Sequence, residues 1–158
     1  MENPAKPQHP VPSVLVVDDS RVNVEILRQI LSPEYRTFRA CNGQQALELA
    51  QAYPPDLILL DVEMPGMDGY QVCTMLKSDP RTRNIPVVFV TGMDDQDSFE
   101  KGLAAGAAGF LTKPVNPTLV RSQVFIHLGL AHANELLTTT CGKSPEPESP
   151  PSRLRRVG

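Results

Sequence analysis

Three runs of four apolar residues stand out from an otherwise mixed sequence. They are VLVV at 14–17, LILL at 57–60 and VVFV at 87–90, and none of them alternates with polar residues. Because uninterrupted runs of this length are typical of strands covered on both faces, they predict the centre of a parallel sheet. Two further segments, YRTFRA at 35–40 and GFLT at 109–112, are more polar than these runs and are predicted to be edge strands.

Helical patterns separate and follow these strands. After the first strand, Val22, Ile26 and Ile30 recur every four residues, with Leu27 and Leu31 alongside, which predicts an amphipathic helix. The signals for the other helices are a capping pair at 42 and 45, Asp68, an apolar pair at 99 and 103 before Gly106, and Asn116–Pro117.

Five strands, each followed by a helix, indicate an α/β fold with right-handed crossovers. If the two more polar strands form the edges, the strand order is 2-1-3-4-5 and the three apolar runs lie in the centre. We therefore predict a flavodoxin-like, doubly wound five-stranded parallel sheet with five helices.

The two ends of the chain differ from this pattern. Residues 1–12 and 142–158 each contain four prolines and have no apolar period. Such segments cannot bury enough surface to offset the entropy lost on ordering. The sequence predicts a disordered N-terminal segment at 1–12, a folded domain at 13–138 and a disordered tail rich in proline, serine and arginine at 139–158.

Composition narrows the range of functions. The net charge of −3 comes without a basic stripe, so we expect no nucleic-acid partner. The chain has neither an apolar stretch long enough to span a membrane nor a signal-peptide core, which predicts a cytoplasmic protein without membrane contact. The three cysteines fit no zinc pattern, and we expect reduced thiols with Cys41 and Cys73 in or near the core.

Charged and hydroxyl side chains follow four of the five predicted strands. They are Asp18 and Asp19 after the first strand, Asp61 after the third, Thr91 after the fourth and Lys113 after the fifth. An aspartate after a strand is usually only a helix cap. However, the carboxyl ends of parallel strands meet at one edge of the sheet, so these residues are expected to converge there.

Three carboxylates packed together raise one another's pKa unless a cation lies between them. A hard divalent ion with oxygen ligands, such as Mg²⁺, suits this acidic group. A site that combines a metal, an ammonium, a hydroxyl and one nucleophilic carboxylate is suited to phosphoryl transfer onto Asp61.

Four segments in this order resemble the receiver domains of bacterial two-component response regulators of the chemotaxis-regulator type. They are VLVVDDS, DLILLDVEMPGMDGY, IPVVFVTG and GAAGFLTKPVN, and the resemblance extends over about 13–130. It implies that Asp61 accepts a phosphoryl group from a sensor histidine kinase or a phosphotransfer protein. It also implies self-phosphorylation and self-dephosphorylation rather than turnover of an external substrate.

The resemblance assigns a role to each matching residue. Mg²⁺ is bound by Asp19, Asp61 and the backbone carbonyl of Glu63, with Asp18 acting mostly through water. Thr91 hydrogen-bonds a phosphoryl oxygen and moves on phosphorylation, and Lys113 pairs with the phosphoryl group. Phe110 occupies the position of a rotating aromatic switch that reports the state of Thr91. A cis Lys113–Pro114 bond is also expected.

Other functions compete with this interpretation. An FMN-binding flavodoxin shares the strand order, but the acidic pair at 18–19 would repel a bare phosphate. A phosphatase with an aspartyl nucleophile carries a second acid two residues later, and Glu63 stands at that spacing from Asp61. No predicted output domain follows residue 138, so the chain is either a stand-alone regulator or a piece of a longer protein.

The last helix carries two apolar sets. The first, suited to packing on the sheet, is Val120, Val124, Leu128 and Ala131. The second, off that stripe, is Leu119, Ile126, Leu130 and Leu137. The second set is either part of a broad core face or a contact surface for another copy of the chain or an effector. We expect such a surface around Leu130 to Leu137.

Overall fold

The structure is a computed structural model that describes residues 11–92 and 96–143, with side chains described as far as residue 133. Residues 1–10 of the predicted disordered N-terminal segment and most of the predicted tail lie outside these residues. Within them, none of the helices is long and apolar enough to cross a membrane.

Five parallel strands form one sheet in the order β2-β1-β3-β4-β5, which confirms the predicted topology. The strands are β1 (Ser13–Val17), β2 (Arg36–Ala40), β3 (Leu57–Asp61), β4 (Val87–Thr91) and β5 (Gly109–Thr112). Every residue of β3 and β4 is buried, whereas β2 and β5 at the edges are partly exposed. The uninterrupted apolar runs are therefore the strands that helices cover on both sides.

Five helices alternate with the strands. They are α1 (Arg21–Leu31), α2 (Gly43–Ala52), α3 (Gly69–Ser78), α4 (Gln96–Ala105) and α5 (Pro117–Lys143). Short polar side chains begin the first three, since Ser20, Asn42 and Asp68 each accept a hydrogen bond from a backbone N–H in the first turn. Helix α4 ends before Gly106, whose φ of 103° suits glycine and confirms the predicted stop.

The last helix is longer than predicted. A compact unit ends at Leu128, and the rest of α5 belongs to a second unit. The helical backbone continues to Lys143, so the boundary placed at 138 and the disorder assigned from 139 are wrong for residues 139–143. The physical reason is that no proline interrupts the helix before Pro145.

The core lies on both faces of the sheet because successive strand residues point to opposite sides. On one face, Leu15 and Phe89 pack with residues of α2 and α3 such as Ala46 and Val72. The residues on the other face come from β1, β3, β4, β5, α1 and α5, and include Val14, Leu59, Val90, Leu27 and Val124. The two layers of helices fix the strand ends that carry the candidate site.

The predicted apolar stripe of α1 is wrong at two positions. Val22 and Ile26 are 68% and 42% exposed, while Val24 and Leu27 are buried. Steps of four residues drift around a helix by about 40° each, so a stripe built on them winds away from the core. Alternating steps of three and four residues, as from Val24 to Leu27 and on to Leu31, keep the apolar side chains on one side of the helix.

The cysteines and α5 also depart from simple expectations. Cys73 is buried as predicted, but Cys41 is exposed because it lies in the turn between β2 and α2.

In α5, Val120 and Val124 are fully buried, whereas Leu119 and Ile126 are 56% and 50% exposed. The second apolar set therefore is not a broad core face at these positions. Leu137 of that set lies outside the described side chains.

Candidate functional site

The acidic group predicted from the sequence comes together at the carboxyl end of the sheet. Val17 of β1 pairs with Leu60 of β3, so Asp18 and Asp61 follow at the same level on neighbouring strands. Both are only 3% exposed, while Asp19 is exposed. Carboxylate oxygens of all three lie within 4.8 Å of one another, close enough to share a metal ion.

Backbone N–H groups hold the two buried carboxylates in place. The N–H of Ser20 donates to Asp18 Oδ1 at 2.8 Å, and the N–H of Glu63 donates to Asp61 Oδ1 at 3.1 Å. The sequence predictions did not include these two donors. An aspartate side chain in a turn often accepts a hydrogen bond from the backbone N–H two residues later, so the pattern could have been recognised. The side chain of Glu63 is exposed. The proposed use of its carbonyl as a ligand stays a prediction.

Lys113 reaches the same carboxylates from the end of β5. Its Nζ lies 3.3 Å from Asp61 Oδ1 and 3.5 Å from Asp18 Oδ2. The backbone of the lysine is fixed by its N–H, which donates to the carbonyl of Thr91 at 2.8 Å. The Lys113–Pro114 bond is cis, as predicted. The ammonium is therefore positioned between the two buried acids.

The surroundings of Asp61 disfavour a negative charge on its carboxylate in addition to the charge on Asp18. Burial, and then the neighbouring Asp18 carboxylate, raise the pKa of Asp61 from 3.8 to about 6, although the Glu63 N–H and Lys113 oppose the shift. Burial works to lower the pKa of Lys113, but Asp61 and Asp18 outweigh it and the pKa is raised. The lysine stays charged, and it does not fully neutralise the pair of acids.

The remaining predicted residues lie on the two adjacent strands. Thr91 is buried at the end of β4, beside Asp61 of β3 and one residue beyond its partner Val90. Phe110 of β5 is half-buried, and its ring centroid lies 5.9 Å from that of Phe89 and 4.8 Å from that of Phe99. The structure thus places Phe110 apart from the carboxylates, between β4 and α4.

The residues present fit a hard divalent cation. Asp18 Oδ2 is buried and has no hydrogen-bond partner among the described residues, only the ion pair with Lys113. A buried carboxylate oxygen without a hydrogen bond is costly, and a cation is one way to satisfy it. Asp19 leaves the group open to solvent on one side. Three carboxylates and an open side are the ligand chemistry that Mg²⁺ prefers.

The fold and the acidic group at the carboxyl end of the sheet agree with a match to one protein family. Residues 14–125 match the family described as the response regulator receiver domain. The chain belongs to this family, which is the one the sequence resembles. Receiver domains act in two-component signalling.

Two curated relatives illustrate the match. Response regulator PleD of Caulobacter vibrioides is 47% identical over 112 residues, which are 70% of this chain and 25% of PleD. The polar-differentiation response regulator DivK of Brucella anthropi is 35% identical over 105 residues, which are 66% of this chain and 85% of DivK. The chain thus spans about a quarter of the length of PleD and most of the length of DivK.

Solved structures show the same fold. The chemotaxis protein CheY4 of Vibrio cholerae has a TM-score of 0.70 at 30% identity, covering 72% of this chain and 96% of CheY4. The signal receiver domain of a histidine kinase from Syntrophus aciditrophicus has a TM-score of 0.69 at 32% identity, covering 90% of this chain and 99% of that domain.

Proposed function

We propose that this chain is a phosphoacceptor that takes a phosphoryl group on Asp61 from a histidine kinase or a phosphotransfer protein. The observation that carries the proposal is the placement of Asp61, buried between Asp18 and Lys113 at the end of the sheet. A nucleophilic carboxylate needs an oxygen held in position. The Glu63 N–H and the Lys113 ammonium both contact Asp61 Oδ1, so they orient this oxygen and stabilise its negative charge.

Each surrounding residue has a part in this function. In the proposal Asp18, Asp19, Asp61 and the Glu63 carbonyl hold Mg²⁺, which neutralises negative charge near the incoming phosphoryl group. Lys113 pairs with that group once it is attached. Thr91, at the end of the neighbouring strand, supplies a hydroxyl to one of its oxygens.

The test is phosphorylation by a small donor. A carboxylate oxygen of Asp61 bonds to the phosphorus of acetyl phosphate as the bond to acetate breaks and acetate leaves. We expect intact-mass spectrometry to show one added phosphoryl group with Mg²⁺, and none in EDTA or in Asp61→Asn. A matched control is Asp56→Asn, an exposed acid at the opposite end of β3. Equal labelling of Asp61→Asn and wild type would sink the assignment.

The same experiment distinguishes a receiver from a phosphatase. A receiver accumulates one phosphoryl group per chain and releases it slowly, without turning over a generic phosphomonoester. We infer that this chain behaves in that way. Steady hydrolysis of p-nitrophenyl phosphate that disappears in Asp61→Asn would favour the phosphatase instead.

The output surface is proposed to include α5. Leu119, Phe125 and Ile126 are 56%, 72% and 50% exposed, and Leu130, in the second unit, is 56% exposed. Contiguous exposed apolar patches often mark interaction sites, and Leu119 and Ile126 lie on the same side of the helix. In this proposal phosphorylation of Asp61, acting through Thr91 and Phe110, changes how α5 binds a second copy or an effector.

Sedimentation with and without a beryllofluoride phosphate mimic tests this surface. We expect self-association or partner binding to change with the mimic, and to be lost in Ile126→Glu and in Leu130→Glu. Val22→Glu, at an equally exposed apolar residue of α1, is the control. If the chain stays monomeric in both states and both α5 variants bind every identified partner normally, the surface has no such role.

A further inference from the structure

Helix α4 is held by fewer buried side chains than two helices of the same length. Of its ten residues only Ser98 and Gly102 are buried, and neither has a large apolar side chain. Helices α2 and α3 each bury four residues. Elements with few buried apolar contacts open at a lower free energy than the rest of a protein. The position of α4 therefore depends on a small number of individual contacts.

One side chain outside α4 supplies several of these contacts. The Tyr70 hydroxyl donates to the carbonyl of Ser98, 28 residues away in the sequence, at 3.4 Å. The ammonium of Lys101 lies 5.7 Å from the centroid of the Tyr70 ring. The ring also packs edge-on against Phe89, with the centroids 5.3 Å apart. We refer to the contacts of Tyr70 with Ser98 and Lys101 as the Tyr70 bridge.

The other end of the bridge is attached to the phosphoacceptor. Gly69, the residue before Tyr70, donates its N–H to the carbonyl of Val62 at 2.9 Å. A side chain at position 69 would collide with the carbonyl of Asp61, so the backbones approach too closely for any residue but glycine. The start of α3 and the backbone after Asp61 are thus packed as one piece. The bridge connects that piece to α4.

The strand that ends at Thr91 also contacts Tyr70. Thr91 ends β4, and α4 begins five residues later at Gln96. Phe89, which packs against the Tyr70 ring, lies on this same strand, so a displacement of Thr91 toward a phosphoryl group on Asp61 acts on a strand that contacts Tyr70. If α4 moves away from α3, the Tyr70 hydrogen bond must break. At 3.4 Å this bond is longer than an ideal O–H···O bond, so breaking it costs little.

We propose that Tyr70 is a positioning residue that holds α4 against the start of α3 and thereby slows the phosphorylation of Asp61. This inference rests on the phosphoacceptor function proposed above. The bridge stabilises the arrangement seen here over one in which α4 has shifted. Its removal raises the population of the shifted arrangement, and phosphorylation that uses this arrangement becomes faster in proportion.

The test compares Tyr70→Phe with wild type. This variant keeps the ring on Phe89 and removes only the hydroxyl. We expect faster hydrogen exchange in α4 and no change in α1 or α2. Phosphorylation from acetyl phosphate should become about two- to fivefold faster, the shift that loss of one weak hydrogen bond allows. Tyr53→Phe, which alters an exposed tyrosine, is the matched control and should change nothing.

The readouts separate the bridge from ordinary packing and from the proposed function. Unchanged exchange in α4 of Tyr70→Phe overturns the bridge, and so does faster exchange spread equally over α1 and α2. Equal phosphorylation rates in Tyr70→Phe and wild type overturn the regulatory role. If wild type takes no phosphoryl group at all, the phosphoacceptor function fails, and the exchange comparison still decides whether Tyr70 holds α4.

Discussion

Lys113 and Lys77 are both half-buried, yet their ammonium groups meet opposite kinds of partner. Lys113 lies 3.3 and 3.5 Å from two carboxylates, and these charges raise its pKa against the effect of burial. Lys77 donates to the backbone carbonyls of Ile85 and Arg83 at 2.7 and 3.1 Å, and burial lowers its pKa. One lysine balances charge at the strand ends, and the other closes the connection from α3 to β4.

The difference shows how burial alone fails to identify a functional lysine. The carbonyls that bind Lys77 are fixed backbone groups that need a donor whatever the protein is doing. The carboxylates that bind Lys113 carry more negative charge than one ammonium neutralises, and their charge changes when a phosphoryl group or a cation arrives. The partners of a lysine, rather than its exposure, therefore indicate its role.

The largest expected effect separates the two lysines directly. Lys77→Met leaves two backbone carbonyls without their donor, which should lower the free energy of unfolding by about 2 kcal/mol. Its phosphorylation rate, measured below the unfolding temperature, should stay within about twofold of wild type. Lys113→Met removes the cation beside Asp61 and should slow phosphorylation from acetyl phosphate by about tenfold or more.

Each lysine variant is the control for the other. The comparison rests on urea unfolding for stability and on intact-mass kinetics for phosphorylation, both on the same preparations. If folded Lys77→Met phosphorylates as slowly as Lys113→Met, the distinction between a structural and a functional lysine breaks down.

The next effect concerns the acids that Lys113 does not fully neutralise. Since the pKa of Asp61 is raised from 3.8 to about 6, the folded protein binds a proton more readily than the unfolded chain. Without metal, stability should therefore fall as the pH rises from about 4 through about 6. Asp61→Asn should stabilise the metal-free protein at pH 7.5 by about 1–3 kcal/mol, since one pKa unit is about 1.4 kcal/mol.

Urea unfolding in EDTA at pH 4 and pH 7.5 measures this effect. The gain from Asp61→Asn should be present at pH 7.5 and absent at pH 4. The control is Asp97→Asn, which removes an exposed charge from the first turn of α4 and should be neutral or slightly destabilising. A loss of stability in Asp61→Asn at pH 7.5 would mean that Lys113 and the Glu63 N–H outweigh the burial of Asp61 and its repulsion by Asp18.

The same two regions show what the sequence could predict. The strands were predictable because burial on both faces leaves an uninterrupted apolar run. The convergence of Asp18, Asp61, Thr91 and Lys113 followed from topology, because the carboxyl ends of parallel strands lie at one edge of the sheet. Their roles, unlike their positions, remain predictions.

What the sequence could not predict depends on contacts between distant segments. The inward side of α1 is set by the phase of the helix against the sheet, which is why Val22 was misplaced. The carbonyls that bind Lys77 carry no signal in the residue types of that loop. The hydrogen bond from Tyr70 to Ser98 joins residues on two helices, and neither residue has a distinctive pattern around it.

The smallest expected effect distinguishes the contribution of the Glu63 backbone from that of the Glu63 side chain. The N–H of Glu63 holds Asp61 Oδ1 at 3.1 Å, much as fixed backbone groups hold Lys77, while the side chain of Glu63 is exposed. Glu63→Ala keeps the N–H and removes the carboxylate. Phosphorylation should therefore persist, and the rate of dephosphorylation should change by about two- to fivefold. The other residue expected to affect this rate, Met93, lies outside the described residues.

The sign of the change identifies what the carboxylate does. Slower decay of the phosphorylated Glu63→Ala protein means that the carboxylate orients the attacking water, and faster decay means that it hinders that water. Glu63→Gln keeps the size and removes the charge, so it separates an electrostatic effect from a steric one. Glu48→Ala, at an exposed glutamate of α2, is the control. If Glu63→Ala decays at the wild-type rate, only the backbone of Glu63 contributes to the site.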